Sequence, residues 1–291
     1  MLLALKLKAG LTAAVLAAPL AVSAIPSIDI SSDAVDRVGA FETVTLAPGP
    51  VAYRPAGDFS RGGQPANAPL RTMRLDRALT IMKRQVTAAE YQRCVDAGAC
   101  PRLAGMSPRD DHPVVGVSWR DADAYAAWLS QETGERYRLP TDEEWAFAAG
   151  SRFKDEALPE TDAVDPSRRW LARYEAESQR QKSVREPQPI GTFGVNEHGL
   201  VDVAGNVWEW TDSCFVRGTV EPAGDVRATL VNCGVRVVEG AHRTYITDFI
   251  RDARAGGCAV GTPPSNLGFR LVRDDDAWRP LRRFLAWAGR A

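Results

Sequence analysis

The chain has 291 residues, a formal net charge of −1 and a sequence pI near 6.3, which excludes the basic footprint of a nucleic-acid-binding protein. With 45% hydrophobic and 25% charged residues, its composition is that of a globular protein with a substantial core, not of a disordered or fibrous one.

The first 24 residues read as an export signal. Lys6 and Lys8 supply the positive n-region, Leu11 to Val22 is an uncharged apolar run, and Val22-Ser23-Ala24 is a small-residue cleavage site. The mature chain is expected to begin at Ile25 and to be periplasmic. A membrane anchor is the alternative, but the apolar run is shorter than the ~20 residues a spanning helix needs and contains Pro19. No stable membrane insertion is expected after cleavage. Residues 25–291 are expected to form a single domain, and losing the two signal lysines takes the formal charge from −1 to −3.

Residues 25–70 are rich in Gly, Pro and Ala, with alternating runs such as Phe41 to Leu46, and read as short strands and loops. Three helix starts follow. Thr87-Ala-Ala-Glu90, Ser118-Trp-Arg-Asp121 and Thr141-Asp-Glu-Glu144 are capping boxes, in which the hydroxyl accepts from a first-turn N–H and the acid reaches back to the cap's own N–H. The apolar stripes behind them are Tyr91 and Val95, then Ala122, Tyr125, Ala126 and Leu129, then Trp145 and Ala148. Pro113 to Val117 is a short apolar run expected as a buried strand. Asp165-Pro166 opens an exposed helix over 166–184 with Trp170, Leu171 and Tyr174 facing inward. From residue 190 glycine recurs and helical periodicity vanishes, so loops and short strands are expected. Trp278, Leu281, Phe284, Leu285 and Trp287 space helically, giving a terminal helix over 276–288 that docks on the body or on a membrane surface.

Five cysteines in an exported chain point to disulfides. The simplest pairing joins Cys94 to Cys100 around an Asp-Ala-Gly turn and Cys214 to Cys233 across a Gly/Pro-containing loop, although spacing does not fix connectivity. Cys258 is left over, either a reactive thiol or a buried inert one.

General catalytic signatures are missing: there is no phosphate-binding glycine loop, no HExxH and no GxSxG. Ser151-Arg-Phe-Lys154 matches SxxK, a pattern too loose to carry weight. His112, His198 and His242 could meet at a metal or could be ordinary hydrogen-bonded histidines. The densest stretch runs from Asn196 to Trp210. In it Asp202 and Glu209 are hard oxygen ligands, and Gly205 allows a tight turn with exposed carbonyls, so the chemistry offers a calcium site. An acidic turn packed under two tryptophans is the alternative.

Asp202-Val-Ala-Gly-Asn-Val-Trp-Glu-Trp210 resembles the GNVWEW segment of the formylglycine-generating enzyme (sulfatase-modifying factor) family. Four further blocks agree, in family order over about residues 41–273. They are His112-Pro-Val-Val-Gly-Val-Ser-Trp119 with Asp121 to Tyr125, Tyr137-Arg-Leu-Pro-Thr-Asp-Glu-Glu-Trp145, Gly191-Thr-Phe193 with Asn196 to Leu200, and Asn266-Leu-Gly-Phe-Arg270. The resemblance implies an α+β fold, a large variant of the C-type lectin fold with little regular secondary structure. It places calcium on Asp202, Gly205, Val207 and Glu209. The family's second calcium site draws on an Asn-containing stretch, and Trp170 to Gln181 offers no Asn, so that site is not expected.

The sequence departs from the family where the chemistry sits. Formylglycine-generating enzymes oxidise a sulfatase cysteine with copper(I) held by two cysteines, and thiolates suit copper(I). Aligned without a gap, those positions are Ala241 and Ile246, and no cysteine lies between Gly234 and Gly257. The Arg-Gly-Gly-Ser-Trp lead-in is also degenerate, reading Val238-Glu239-Gly240. Copper chemistry of that kind is not expected. The related ergothioneine-pathway iron enzymes carry their iron histidines partly in a separate domain that is not expected in this chain, so their chemistry is not transferred, and iron itself is left open. Phe249 to Gly261 resembles the exported subgroup linked to pyoverdine maturation and to nitrite reductases.

Two functions follow. One is a periplasmic maturation oxidoreductase acting on a peptide or protein, with Cys258, Arg243 and Tyr245 as catalytic candidates and Trp208 and Arg254 binding substrate. An arginine there could hold a carboxylate in a bidentate pair, or be tied internally to Asp248 or Asp252. The other is a non-catalytic binding or assembly factor, for example for a periplasmic reductase, with inhibition of a secreted toxin as a further alternative.

Overall fold

The computed structural model describes residues 41–104, 106, 109–154, 157, 171, 186–252 and 266–274. The export signal, the expected terminal helix, Trp170, Tyr174, Arg254 and Cys258 lie outside the described residues. The fold is α+β, with strands from both ends of the described chain meeting in the same sheets.

One sheet has the order β1 (Thr43–Leu46), β6 (Leu79–Met82), β12 (Val272–Asp274), β7 (Arg136–Arg138), all antiparallel. A second runs β10 (Thr244–Thr247), β9 (Val226–Glu239), β8 (Trp208–Val220), β3 (Asp58–Arg61), β4 (Gln64–Ala66). Here β3 lies parallel to β8, and β11 (Leu267–Gly268) also pairs parallel with the start of β8. β2 (Gly49–Tyr53) and β5 (Arg71–Leu75) form a two-stranded ribbon.

Helices α1 (Ala88–Asp96), α2 (Trp119–Thr133) and α3 (Asp142–Ala149) begin at the three expected boxes, and each box is complete. In the first, Glu90 N donates to Thr87 Oγ1 at 3.1 Å and Thr87 N donates to Glu90 Oε2 at 2.8 Å. The expected apolar faces are buried against the sheets. Tyr91, Tyr125 and Leu129 join Trp210, Val238, Ile246 and Phe269 in one core, while Trp145 and Ala148 join Ile81, Leu200 and Val272 in another. Burying one such side chain completely contributes roughly 1.5–3 kcal/mol, so the helices are held mainly by these faces.

Three expectations are corrected. Pro113 to Val117 is not a strand. Only Pro113 makes an isolated bridge, to Thr87, because the amides of Val114 and Val117 turn to different partners, the carbonyls of Val86 and Leu267. Leu171 faces outward, at 52% exposure. The third correction is the largest, for the second half holds the two longest strands rather than short ones, β8 of 13 residues and β9 of 14. Register shifts between Trp210 and Cys214, Cys214 and Phe215, and Arg217 and Gly218 break the two-residue alternation. β9 is also exposed on both faces over 227–234, so no apolar pattern marks it. Both expected disulfides are present, and Cys214–Cys233 joins these two neighbouring strands. No helix among the described residues is long and apolar enough to cross a membrane.

Candidate functional site

The segment leading into β8 is backbone-strained. Asp202, Ala204 and Asn206 all have positive φ (55°, 59° and 64°), a conformation that costs non-glycine residues energy and persists only where surrounding contacts impose it. Those contacts are specific. The amides of Gly191 and Phe193 donate to Asp202 Oδ2 and Oδ1 at 2.6 and 2.7 Å, and Asn206 exchanges two hydrogen bonds with the backbone of Gln188. At Gly205 a Cβ would come within 2.9 Å of the Phe193 ring, so only glycine fits. Asn196 holds the turn to α3, donating to the carbonyls of Ala148 and Ala149.

Glu209 emerges from this turn at zero exposure and is completely engaged. Arg270 donates to it through Nε and Nη2 at 2.6 and 2.7 Å, Trp145 Nε1 at 2.9 Å and Gln85 Nε2 at 2.7 Å. Arg270 is itself fully buried and also donates to the carbonyls of Lys83 and Val201. The calcium shell expected on Asp202, Gly205, Val207 and Glu209 does not fit this arrangement. Asp202 spends both oxygens on amides, the Gly205 carbonyl accepts from Val207 N, and the positive charge beside Glu209 is a guanidinium. Among the described residues, no three His, Cys, Asp or Glu side chains are placed to hold a metal ion. The histidines have separate partners: His112 meets Asp111, His198 the Ala148 carbonyl, and His242 the Arg243 carbonyl.

The expected catalytic region lies on and beside β10. Ile246, at one copper-cysteine position, is fully buried in the larger core, and Ala241, at the other, is half-buried. Trp208 donates from Nε1 to the His242 carbonyl at 3.2 Å and packs so closely on Gly240 that a Cβ there would sit 2.8 Å from the indole. Tyr245 Oη accepts from Gly57 N at 2.7 Å, and its ring stands edge-on to Phe215. Arg243 is tied internally, though not to either aspartate expected. Its Nε donates to Glu239 Oε1 at 2.6 Å, its Nη1 donates to the Arg54 carbonyl, and its Nη2 lies 3.0 Å from Asp142 Oδ2. Asp248 pairs instead with Arg120.

Arg243 thus opens onto a buried cluster that sequence reasoning missed. Tyr53 Oη donates to Asp142 Oδ2 at 2.5 Å, and the guanidinium sits over the rings of Tyr53 and Phe153. Burial pushes the Tyr53 hydroxyl far up, helped by the negative charge of Asp142. Burial likewise raises the carboxyl of neighbouring Glu143. One signal was available: Glu239 is an acid inside the degenerate lead-in Val238-Glu239-Gly240.

The family of the sulfatase-modifying factor enzyme 1-like domain matches residues 31–275. The chain belongs to this family. It is 35% identical over 186 residues to the inactive C-alpha-formylglycine-generating enzyme 2 of Mus musculus, covering 61% of this chain and 53% of that one. It is 32% identical over 185 residues to the formylglycine-generating enzyme of Streptomyces coelicolor, covering 59% and 55%. The chain therefore spans about half the length of these relatives. The structure of PvdO from Pseudomonas aeruginosa superimposes with a TM-score of 0.50 at 21% identity, covering 81% of this chain and 95% of that one, a likeness of fold. The α+β fold expected from the motifs is that of this family.

Proposed function

We propose that this protein is a periplasmic maturation factor of the formylglycine-generating enzyme family that acts on a peptide or protein partner without the copper, two-cysteine mechanism. The observation that carries the reading is the pair Ala241 and Ile246. Neither side chain has an atom that can ligate copper, and Ile246 is packed inside the core. Similarity to a mammalian relative named as inactive supports the same direction. Two disulfides and the signal-like N-terminus support an oxidising, exported location.

A non-catalytic binding or assembly role is the second reading. It is favoured by the internal engagement of Arg243 and Tyr245, the two described catalytic candidates, which ties Arg243 Nε and Nη1 and the Tyr245 hydroxyl into the fold. Cys258 separates the readings. A strain lacking the protein is expected to accumulate an exported protein or peptide of unmatured mass, restored by the wild-type gene. Rescue by Cys258→Ser at the wild-type level would assign a binding role, and loss of rescue with normal folding a redox one. Purified protein that converts the cysteine of a sulfatase-type peptide to formylglycine when supplied with copper(I) and oxygen would overturn both.

A further inference from the structure

Asp142, Glu239 and Arg243 meet in the interior with two carboxylates for one guanidinium, and side-chain exposures of 0%, 3% and 8% keep the excess charge away from bulk solvent. An isolated buried carboxylate is strongly disfavoured, so such a pair lowers its charge by keeping a proton. The hydrogen bonds identify the carrier. Asp142 Oδ2 accepts from Tyr53 and faces Arg243, while Oδ1 is buried with no hydrogen-bond donor among the described groups. Glu239 accepts from Arg243 Nε through Oε1 at 2.6 Å, on the same guanidinium whose Nη2 lies 3.0 Å from Asp142 Oδ2, so the two acids flank one cation and Glu239 needs only one oxygen as an acceptor.

We propose that Asp142 and Glu239 share a single proton carried by Glu239, which makes Glu239 a neutral donor that fastens the base of the β8–β9 arm to helix α3. The other charged or titratable groups facing the pair are Tyr53 from β2, Glu143 from α3, and Arg243 and Tyr245 from the β10 side. Across the strand pair from Glu239, Glu209 is already neutralised by Arg270. Burial holds the Glu239 carboxyl well above the usual range, reinforced by Asp142 and opposed by Arg243. A carboxyl raised in the folded state stabilises most below its unfolded value, and that contribution is lost as pH rises through the folded value. The fastening therefore weakens toward alkaline pH.

The test uses the full mature chain and the variants Glu239→Gln, Glu239→Ala and Asp142→Asn. Glutamine presents one acceptor to Arg243 and one donor to Asp142, the pattern of a protonated Glu239. Glu239→Gln should match the wild-type urea midpoint near about pH 4 to 5, where wild-type Glu239 is protonated, and should flatten the decline toward about pH 9, so that at neutral pH its midpoint is no lower than that of wild type. Glu239→Ala should lower the midpoint across that range, and so should Asp142→Asn, since every partner of Asp142 is a donor. Wild type at neutral pH should also show the infrared carbonyl stretch of a buried carboxylic acid, a band lost in Glu239→Gln. Absence of that band, or a Glu239→Gln midpoint as low as that of Glu239→Ala, would overturn the proposal. A tolerated Asp142→Asn beside a damaging Glu239→Gln would place the proton on the other acid and overturn the assignment. The infrared reading on wild type stands even if a variant fails to fold.

Discussion

Two buried arginines anchor this molecule in different ways. Arg270 meets one carboxylate, Glu209, whose remaining capacity is filled by Trp145 and Gln85, so charge and hydrogen bonds both close. Arg243 meets two carboxylates, Asp142 and Glu239, with Glu143 nearby, and charge closes only with a proton. Breaking a buried pair from one side leaves an uncompensated charge, whereas neutralising a surplus acid removes a charge the fold does not need. The same residue types therefore predict opposite mutational outcomes at the two centres.

Glu209→Ala should have the largest effect, because it strands Arg270 at zero exposure. A loss of about 3–5 kcal/mol is expected, read as a collapse of the urea midpoint or failure to recover folded protein. Asp142→Asn should come next at about 3 kcal/mol, since it replaces the buried acceptor of Tyr53 beside Arg243. Thr141→Ala removes the cap of α3 one residue from that centre and should cost about 1 kcal/mol in the same measurement. Glu239→Gln should lose no more than about 0.5 kcal/mol against wild type at neutral pH, and a loss equal to that of Asp142→Asn would erase the contrast. Smallest of all should be the response to calcium. Because a guanidinium occupies the side of Glu209 where a cation would stand, adding a calcium chelator should leave the melting temperature unchanged.

The pH profile sharpens the contrast further. Glu197, held by the amide and hydroxyl of Ser151, has its carboxyl pulled down to about 2. Its contribution is present above the ordinary glutamate value and disappears as pH falls toward the lowered one, opposite to Glu239. Glu197→Gln should therefore reduce acid sensitivity, and Glu239→Gln alkaline sensitivity, in paired urea titrations.

What the sequence disclosed followed from how local each device is. The three capping boxes lie within four residues each, so helix starts and their buried faces were readable. The strained turn at Asp202 to Asn206 and the Asn266-Leu-Gly-Phe-Arg270 block were recognised as motifs, but their meeting was not. Glu209 looked like a calcium ligand because its partner Arg270 is 61 residues away. The long β8–β9 pair stayed hidden because its bulges and two-sided exposure remove the alternation that reveals a strand. The Arg243 cluster draws on β2, α3, β9 and β10, with only the acid in the degenerate lead-in Val238-Glu239-Gly240 as a local hint.

The proposed function turns on the two positions where the family's enzymes hold copper. Copper(I) titration of the mature protein against a chromophoric chelator, in wild type and in Cys258→Ser, tests this most directly. Ala241 and the core-buried Ile246 predict no tight copper site in the variant, whatever Cys258 does in the wild type. One copper(I) per chain, bound tightly and retained in Cys258→Ser, would contradict it.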